Sequence, residues 1–152
     1  MIGISINRIR HSLAVARKMK AMAEADSTFP YPSEDMFYLG LLHDMGYEFV
    51  EKQEEHEHRG GEILKDNGYR YWQEVFYHGD PDSKYHSPAL DLLNYVDMTT
   101  GVDGEDVPIN NRLDDIAQRY GSDSPQYQKA YQLSKRLQSL FNLYYLMLIS
   151  CT

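Results

Sequence analysis

The sequence has very little cysteine, no long apolar segment and no excess of basic charge. Its single cysteine, Cys151, excludes a disulfide within the chain and a cysteine-based zinc cluster, and it suits a reducing compartment. The most apolar stretch, LFNLYYLMLIS, is too short to span a bilayer. The first residues, MIGISINRIRHS, contain no apolar core of signal-peptide length. We therefore expect a cytoplasmic protein without a membrane segment.

Acidic residues outnumber basic ones by 23 to 15, so the net charge at neutral pH is −8. This charge argues against an extended nucleic-acid surface, because such surfaces are strongly basic. It is compatible with a small anionic substrate when bound metal ions provide positive charge locally. The charge therefore disfavours an extended nucleic-acid partner and permits a small anionic one.

The chain has the composition of an ordinary globular domain, with 42% hydrophobic and 25% charged residues in 152 positions. Helical periodicity recurs along it, and no segment alternates polar and apolar residues with the Val, Ile and Thr content of a strand. We predict an all-α fold, a single-domain helical bundle of about six to seven helices that spans residues 1–152.

Capping and breaking residues divide this bundle into segments. Ser33 is predicted to cap the second helix, Gly68 to end the third, and Ser87 with Pro88 to open the fifth. The first five helices are predicted at about 7–25, 33–45, 56–67, 70–78 and 87–100. A sixth helix ending before Gly121 and a long last helix opened by Ser124 and Pro125 together cover 109–149. An exposed apolar remainder at 144–149 would indicate a homodimer surface.

Six residues that can bind a metal lie in or at the ends of these helices: His11, His43, Asp44, His56, His78 and Asp97. His11 shares an apolar helical face with Val15 and Met19, where a titratable group is costly without a partner. Inward-facing imidazoles and carboxylates on neighbouring helices form metal sites in helical bundles. Such ligands suit Fe, Mn, Co, Ni or Zn without distinguishing among them. The alternative is a set of unrelated polar residues that hydrogen bonds satisfy.

The adjacent pair His43 and Asp44 is compatible with a site of one or two ions. Neighbouring residues on a helix point about 100° apart, so the two cannot bind one ion symmetrically. The carboxylate can instead bridge to a second ion. Metal-bound water or hydroxide is then a nucleophile near neutral pH.

The segments RIRHSLAVA, LLHDMG and LLNYVDMTT occur in this order and resemble the H…HD…D signature of the HD phosphohydrolase superfamily. The resemblance runs over residues of about 8–100. It implies a helical core in which His11, His43, Asp44 and Asp97 bind one metal, with His43 and Asp44 at the catalytic centre.

A two-metal subset of this superfamily has two further histidines between the HD pair and the last aspartate. HEHRGGEIL resembles the first of these motifs and implies His56 rather than His58, while EVFYHGD implies His78. Within the subset, the likeness is to bacterial hydrolases that split dinucleoside polyphosphates. Iron is favoured if the site is binuclear.

The resemblance implies a metal-dependent phosphohydrolase that cleaves a phosphoester or phosphoanhydride of a nucleotide or similar small molecule by means of metal-bound hydroxide. Two alternatives stay open: a non-catalytic module that senses nucleotide or metal, and a di-iron oxygenase with the same ligands. The chain differs from related sequences after the HD pair: Gly46 is followed by Tyr47 and Glu48, where those sequences often have a basic residue. It also lacks the GYP tripeptide of cyclic-di-nucleotide phosphodiesterases.

A phosphohydrolase needs cations near the scissile group, and four basic residues near the motifs are candidates for this role: Arg8, Arg59, Lys84 and Arg112. The alternative for each is an ordinary surface charge. His58 and His86 are interpreted as surface histidines or as residues that support the ligands.

Overall fold

The computed structural model describes the backbone of residues 5–150 and the side chains of residues 5–141. Within this part of the chain there are seven α-helices and no β-strand: α1 (Ile6–Ala25), α2 (Ser33–Leu42), α3 (His56–Asp66), α4 (Trp72–Tyr77), α5 (Pro88–Met98), α6 (Ile109–Tyr120) and α7 (Pro125–Ser150). Two short 3₁₀ helices, Met45–Phe49 and Gln53–Glu55, connect α2 to α3. The predicted all-α fold is confirmed.

Most helix boundaries follow the predicted capping residues. Ser87 accepts a hydrogen bond from the Leu90 amide (3.0 Å), with Pro88 as the first residue of α5. Gly68 and Gly121 follow α3 and α6 with φ of 72° and 90°, a conformation that other residues rarely adopt. These starts and stops are local chemistry, and they were predictable for that reason.

The prediction that Ser33 caps the second helix is wrong. The helix begins at Ser33 itself, Pro32 precedes it, and no side chain caps the end. The Ser33 hydroxyl instead donates to Glu24 Oε1 at 3.3 Å. The Ser33 hydroxyl therefore makes a tertiary contact with the end of α1 instead of a capping hydrogen bond.

The second helix also ends earlier than predicted, at Leu42 rather than Met45. Asp44 has φ −97° and ψ 7°, and the chain leaves the helix there. Gly46 then lies directly against α3, where an added Cβ would be 1.8 Å from the His56 carbonyl oxygen. This contact requires glycine, and it brings the start of α3 next to Asp44.

The buried apolar side chains form two clusters. One includes Val15, Met36 and Leu93 and joins the first five helices, and the other includes Leu113 and Leu137 and joins α6 and α7 to the end of α5. Among the described residues, no helix combines the length and apolar character needed to cross a membrane. The side chains of 144–149, predicted as a dimer surface, lie outside the described ones.

Candidate metal centre

Asp44 lies at the centre of a buried cluster of imidazoles. Its Oδ1 is 3.3 Å from His56 Nε2, 3.4 Å from His43 Nε2 and 3.8 Å from His78 Nε2. All four residues are buried. One carboxylate oxygen therefore faces ring nitrogens from α3, from the end of α2 and from the residue that follows α4.

Asp97 and His11 complete the cluster on the other side of Asp44. Asp97 Oδ1 is 3.0 Å from His11 Nε2 and 3.8 Å from His43 Nε2, and Asp44 Oδ2 is 4.0 Å from His11 Nε2. The structure thus brings the six predicted ligands into one cluster. His11 is on α1 and Asp97 on α5, so 86 residues separate them along the chain.

Each of the four imidazoles has Nδ1 at hydrogen-bond distance from a backbone carbonyl: His11 from Gly101 (2.9 Å), His43 from Gly40 (2.7 Å), His56 from Gln53 (2.6 Å) and His78 from Val75 (2.6 Å). A carbonyl oxygen only accepts hydrogen bonds, so each Nδ1 donates and carries the proton. In the neutral ring the lone pair is then on Nε2, the atom that faces the carboxylates. This arrangement is common around histidines that bind metals.

His43 Nε2 tests whether the cluster fits a metal. The ring is fully buried, and this atom has no hydrogen-bond partner among the residues that the structure describes. A neutral Nε2 lone pair that faces carboxylate oxygens is repelled unless a proton or a metal cation lies between them. Within the described side chains, three sets of ligand atoms lie within 4.8 Å of one another: His11 with His43 and Asp97, His43 with Asp44 and His78, and His56 with Glu57 and His78. The donor set fits divalent metal.

The electrostatics of the cluster point the same way. Burial alone raises the pKa of Asp44, but the neighbouring imidazoles of His43, His56 and His78 hold it well below its usual range. Burial lowers the pKa of His43, and the carboxylates of Asp44 and Asp97 raise it above its ordinary value. The carboxylates are therefore ionised, and they attract positive charge at the buried nitrogens.

Glycine contacts position the two histidines that follow the HD pair. A Cβ on Gly61 would lie 2.5 Å from Phe76 Cβ, so α3 and α4 approach more closely than larger residues allow. His56 is the first residue of α3, and His78 directly follows α4. The close packing of these two short helices brings both rings to Asp44.

Two residues beside His56 and His78 were not predicted as part of the site. Glu57 Oε2 lies 3.1 Å from His56 Nδ1, and its carboxylate can join His56 and His78 around an ion. The Asn94 side chain accepts a hydrogen bond from the Gly79 amide at 2.8 Å and fixes the chain directly after His78. Glu57 adjoins His56 in the sequence, whereas no local pattern singles out Asn94.

Tyr47 follows Gly46 at the position where a basic residue was expected, and the Arg8 side chain lies against its ring. The Arg8 guanidinium lies 3.6 Å from the Tyr47 ring centroid and 2.8 Å from Asp44 Oδ2. Tyr47 also stacks on His56, with ring centroids 3.7 Å apart. Burial, followed by the charge of Asp44, raises the pKa of the Tyr47 hydroxyl, which therefore stays neutral. A cation from α1 therefore lies beside the cluster, whereas Gly46 is followed by an aromatic residue.

A cavity of about 720 Å³ opens onto the cluster. Arg8 and Arg112 line it, whereas Arg59 and Lys84 do not and are both exposed. The structure therefore brings two of the four predicted phosphate-binding residues to the cavity.

The two remaining histidines, His58 and His86, are exposed. His58 stacks on Phe76, and His86 Nδ1 lies 2.6 Å from an Arg136 guanidinium nitrogen. Neither belongs to the cluster.

Comparison with protein-family models adds independent support from the sequence. The model described as HD domain matches residues 8–123, which is more than half of the chain. No curated protein and no solved structure matches. The matched range contains every residue of the cluster, from His11 to Asp97. The chain belongs to the HD domain family.

Proposed function

We propose that this protein is a metal-dependent phosphohydrolase that cleaves a phosphoester or phosphoanhydride of a nucleotide or similar small molecule. HD domains generally bind divalent metals and hydrolyse phosphorylated compounds. The observation that carries the proposal is the buried His43 Nε2, which faces the carboxylates of Asp44 and Asp97 and has no hydrogen-bond partner among the described residues. With a neutral ring and no bound metal, this atom would stay unsatisfied in the core.

The ligands divide into two groups that share Asp44. The first group would hold one ion with His11, His43 and Asp97, and the second would hold another with His56, His78 and Glu57. Such ions, when bound, lower the pKa of a coordinated water and offset negative charge on the scissile phosphate. The ligand types fit Fe, Mn, Co, Ni or Zn, and iron is favoured for a binuclear site.

Arg8 is the proposed phosphate-binding residue at the cluster. Its side chain is partly exposed to the cavity, and it donates to Asp44 Oδ2. When cations neutralise Asp44, the guanidinium is free to donate to a phosphate oxygen of the substrate. Contact with the Tyr47 ring holds it beside the cluster in either arrangement.

The test is release of phosphate or of a nucleotide product from a panel of phosphate compounds, with Mn and Fe loaded separately. We expect His43→Ala and Asp44→Ala to lower turnover by more than about a hundredfold, since even residues that only support metal ligands contribute ten- to a hundredfold. His58→Ala is the matched control, because His58 is exposed and outside the cluster. Unchanged turnover in both cluster variants would remove these residues from the mechanism.

A second candidate is a module that senses a nucleotide or a metal without turnover. The observation that favours it is Tyr47, an aromatic residue where a basic one was expected after Gly46. Nucleotide binding without product release under any metal would support the sensor. Oxygen uptake on iron loading, with no phosphate release, would instead support a di-iron oxygenase.

A further inference from the structure

The cavity extends beyond the cluster to a wall formed by α6 and α7. Arg112, Ile116 and Arg119 line it from α6 at intervals of three or four residues, so they share one face of the helix, and Tyr120 lines it beside them. Lys129 lines it from α7. The proposed hydrolysis needs only the cluster and Arg8, which leaves this wall without a role.

Arg112 carries a buried donor that is unsatisfied within the described part of the chain. Its Nε has no hydrogen-bond partner among residues 5–141, while its Nη1 lies 3.6 Å from Asp115 Oδ2. The side chain is 19% exposed. A guanidinium binds phosphate or carboxylate best through two parallel donors, of which Nε can be one. Arg112 lines the cavity, and a change of its side-chain torsions on binding would let the unpartnered Nε and an Nη donate together to an anion there.

The wall carries more positive than negative charge. Asp115 is the carboxylate partner of both Arg112 and Arg119. No ion pair of Lys129 is found among the described residues. In a protein with a net charge of −8, this local excess is the reverse of the general surface and favours an anion.

Apolar side chains line the same cavity beside these cations. Tyr120 is 49% exposed and Val102 is 41% exposed, and both line the cavity. The volume of about 720 Å³ is within the range of roughly 300 to 1,000 Å³ that encloses ligands of nucleotide size, and it exceeds the needs of a single phosphate. The ligand therefore has an organic part as well as anionic groups.

We propose that Arg112, supported by Arg119 and Lys129, binds a second anionic group of the substrate that is not cleaved. The substrate class is then an organic compound with at least two phosphoryl groups, such as a nucleoside diphosphate, rather than a monophosphate. Tyr120 and Val102 contact its organic part. This assignment rests on the proposed function, because the metal cluster binds the phosphoryl group that is cleaved.

The test compares the binding of AMP and α,β-methylene-ADP to the manganese-loaded protein by isothermal titration calorimetry. The two share base and ribose and differ by one anionic group, and a phosphate assay after each titration checks that the phosphoester of neither was hydrolysed. We expect the wild type to prefer the diphosphate analogue by roughly tenfold or more, the usual contribution of hydrogen bonds to a charged group. Arg112→Gln should abolish this preference, because it should weaken binding of the analogue and leave the affinity for AMP unchanged.

Arg59→Gln is a closely matched control. Arg59 also pairs with a carboxylate three residues later on a helix, Glu62 at 3.5 Å, but it does not line the cavity. It should retain the preference of the wild type. Arg112→Lys keeps the charge and lacks Nε, so an intermediate preference is expected. Metal content and thermal midpoint of each variant establish that it is folded.

The two proposals fail in different ways. A wild type that binds both ligands equally, or binds neither, overturns the second-anion assignment, and so does Arg112→Gln with an unchanged preference. Absence of phosphate release from every compound, with the Arg112-dependent preference intact, overturns the hydrolase and leaves the assignment standing. Turnover in an Arg112→Gln protein that still prefers diphosphates overturns the assignment alone.

Discussion

The two ligand groups beside Asp44 come from different kinds of structure. His11 lies within α1 and Asp97 in the last turn of α5, helices that also carry Val15 and Leu93 of the larger buried cluster. His56 is the first residue of α3, and His78 directly follows α4. His11 and Asp97 are therefore held by residues within helices, whereas both histidines of the second group lie at helix ends.

The difference indicates which half of the site is easier to weaken. The second group depends on close approaches at Gly46 and Gly61, where a single added methyl would clash with backbone or side-chain atoms. It also depends on one hydrogen bond after His78. We therefore expect the ion of the first group to be held more tightly, with Asp44 as the residue on which both depend.

Replacement of Asp44 should have the largest effect, because it is common to both halves. Asp44→Asn keeps the shape but removes the charge that faces His43, His56 and His78. We expect loss of both metals and a fall in turnover of more than about a hundredfold. Elemental analysis and phosphate release measure this, with the exposed Asp66→Asn as control. Full metal content in Asp44→Asn would contradict the central position of the carboxylate.

Gly46→Ala should affect metal binding by the second ligand group and not by the first. The added Cβ would lie 1.8 Å from the His56 carbonyl oxygen, so the start of α3 must move. Overpacking of this kind costs roughly 1 to 3 kcal/mol, or about 2 to 12 °C in thermal midpoint for a chain of this size. We expect the second metal to be lost and the first retained. Gly68→Ala is the control for a loss of stability alone, because it strains a residue with φ 72° and its Cβ meets nothing within 4 Å, so its thermal midpoint should fall while its metal content stays unchanged.

Replacement of Asn94 should weaken only the binding of the metal held by His56 and His78. Asn94→Leu removes the acceptor for the Gly79 amide and leaves that donor without its partner, at a cost of about 1 to 3 kcal/mol. We expect roughly ten- to a hundredfold weaker binding of the second metal, measured by titration with a chelator. Asn94→Asp retains an acceptor and should restore most of the affinity. Equal loss in both variants would indicate a general folding defect instead.

Tyr47 should have the smallest effect. Tyr47→Leu removes the ring below Arg8, a contact worth about 0.5 to 1 kcal/mol, so KM should rise by roughly two- to fivefold with little change in kcat. Tyr47→Phe keeps the ring and should resemble the wild type in steady-state kinetics. A large fall in kcat for Tyr47→Phe would show that the hydroxyl has a role of its own.

The sequence predicted those parts of the fold that depend on local chemistry. The start of α5 at Ser87 and the ends of α3 and α6 at Gly68 and Gly121 are determined by single residues and their immediate neighbours. The early end of α2 was not predictable, because it results from contact between Gly46 and α3, which are close only after folding. The hydroxyl of Ser33 was diverted by a similar long-range contact with Glu24.

The site shows the same division. The six clustered residues were found because an ordered motif connects positions far apart in the chain, and His56 rather than His58 was chosen from its distance to the glycine pair. Asn94 and Tyr47 have no such motif, and their roles depend on which backbone and which ring they meet. Arg112 was one of four cations named from proximity to the motifs, and only the cavity separates it from Arg59.

Metal content of the purified protein, measured by elemental analysis beside a His56→Ala/His78→Ala double variant, tests the account most directly. His58→Ala/His86→Ala is the matched control, because both of its histidines are exposed. The account predicts about two equivalents in the wild type and in the control, and about one in the cluster variant. Absence of metal from the wild type, even after reconstitution with Mn, Fe or Zn, would contradict it.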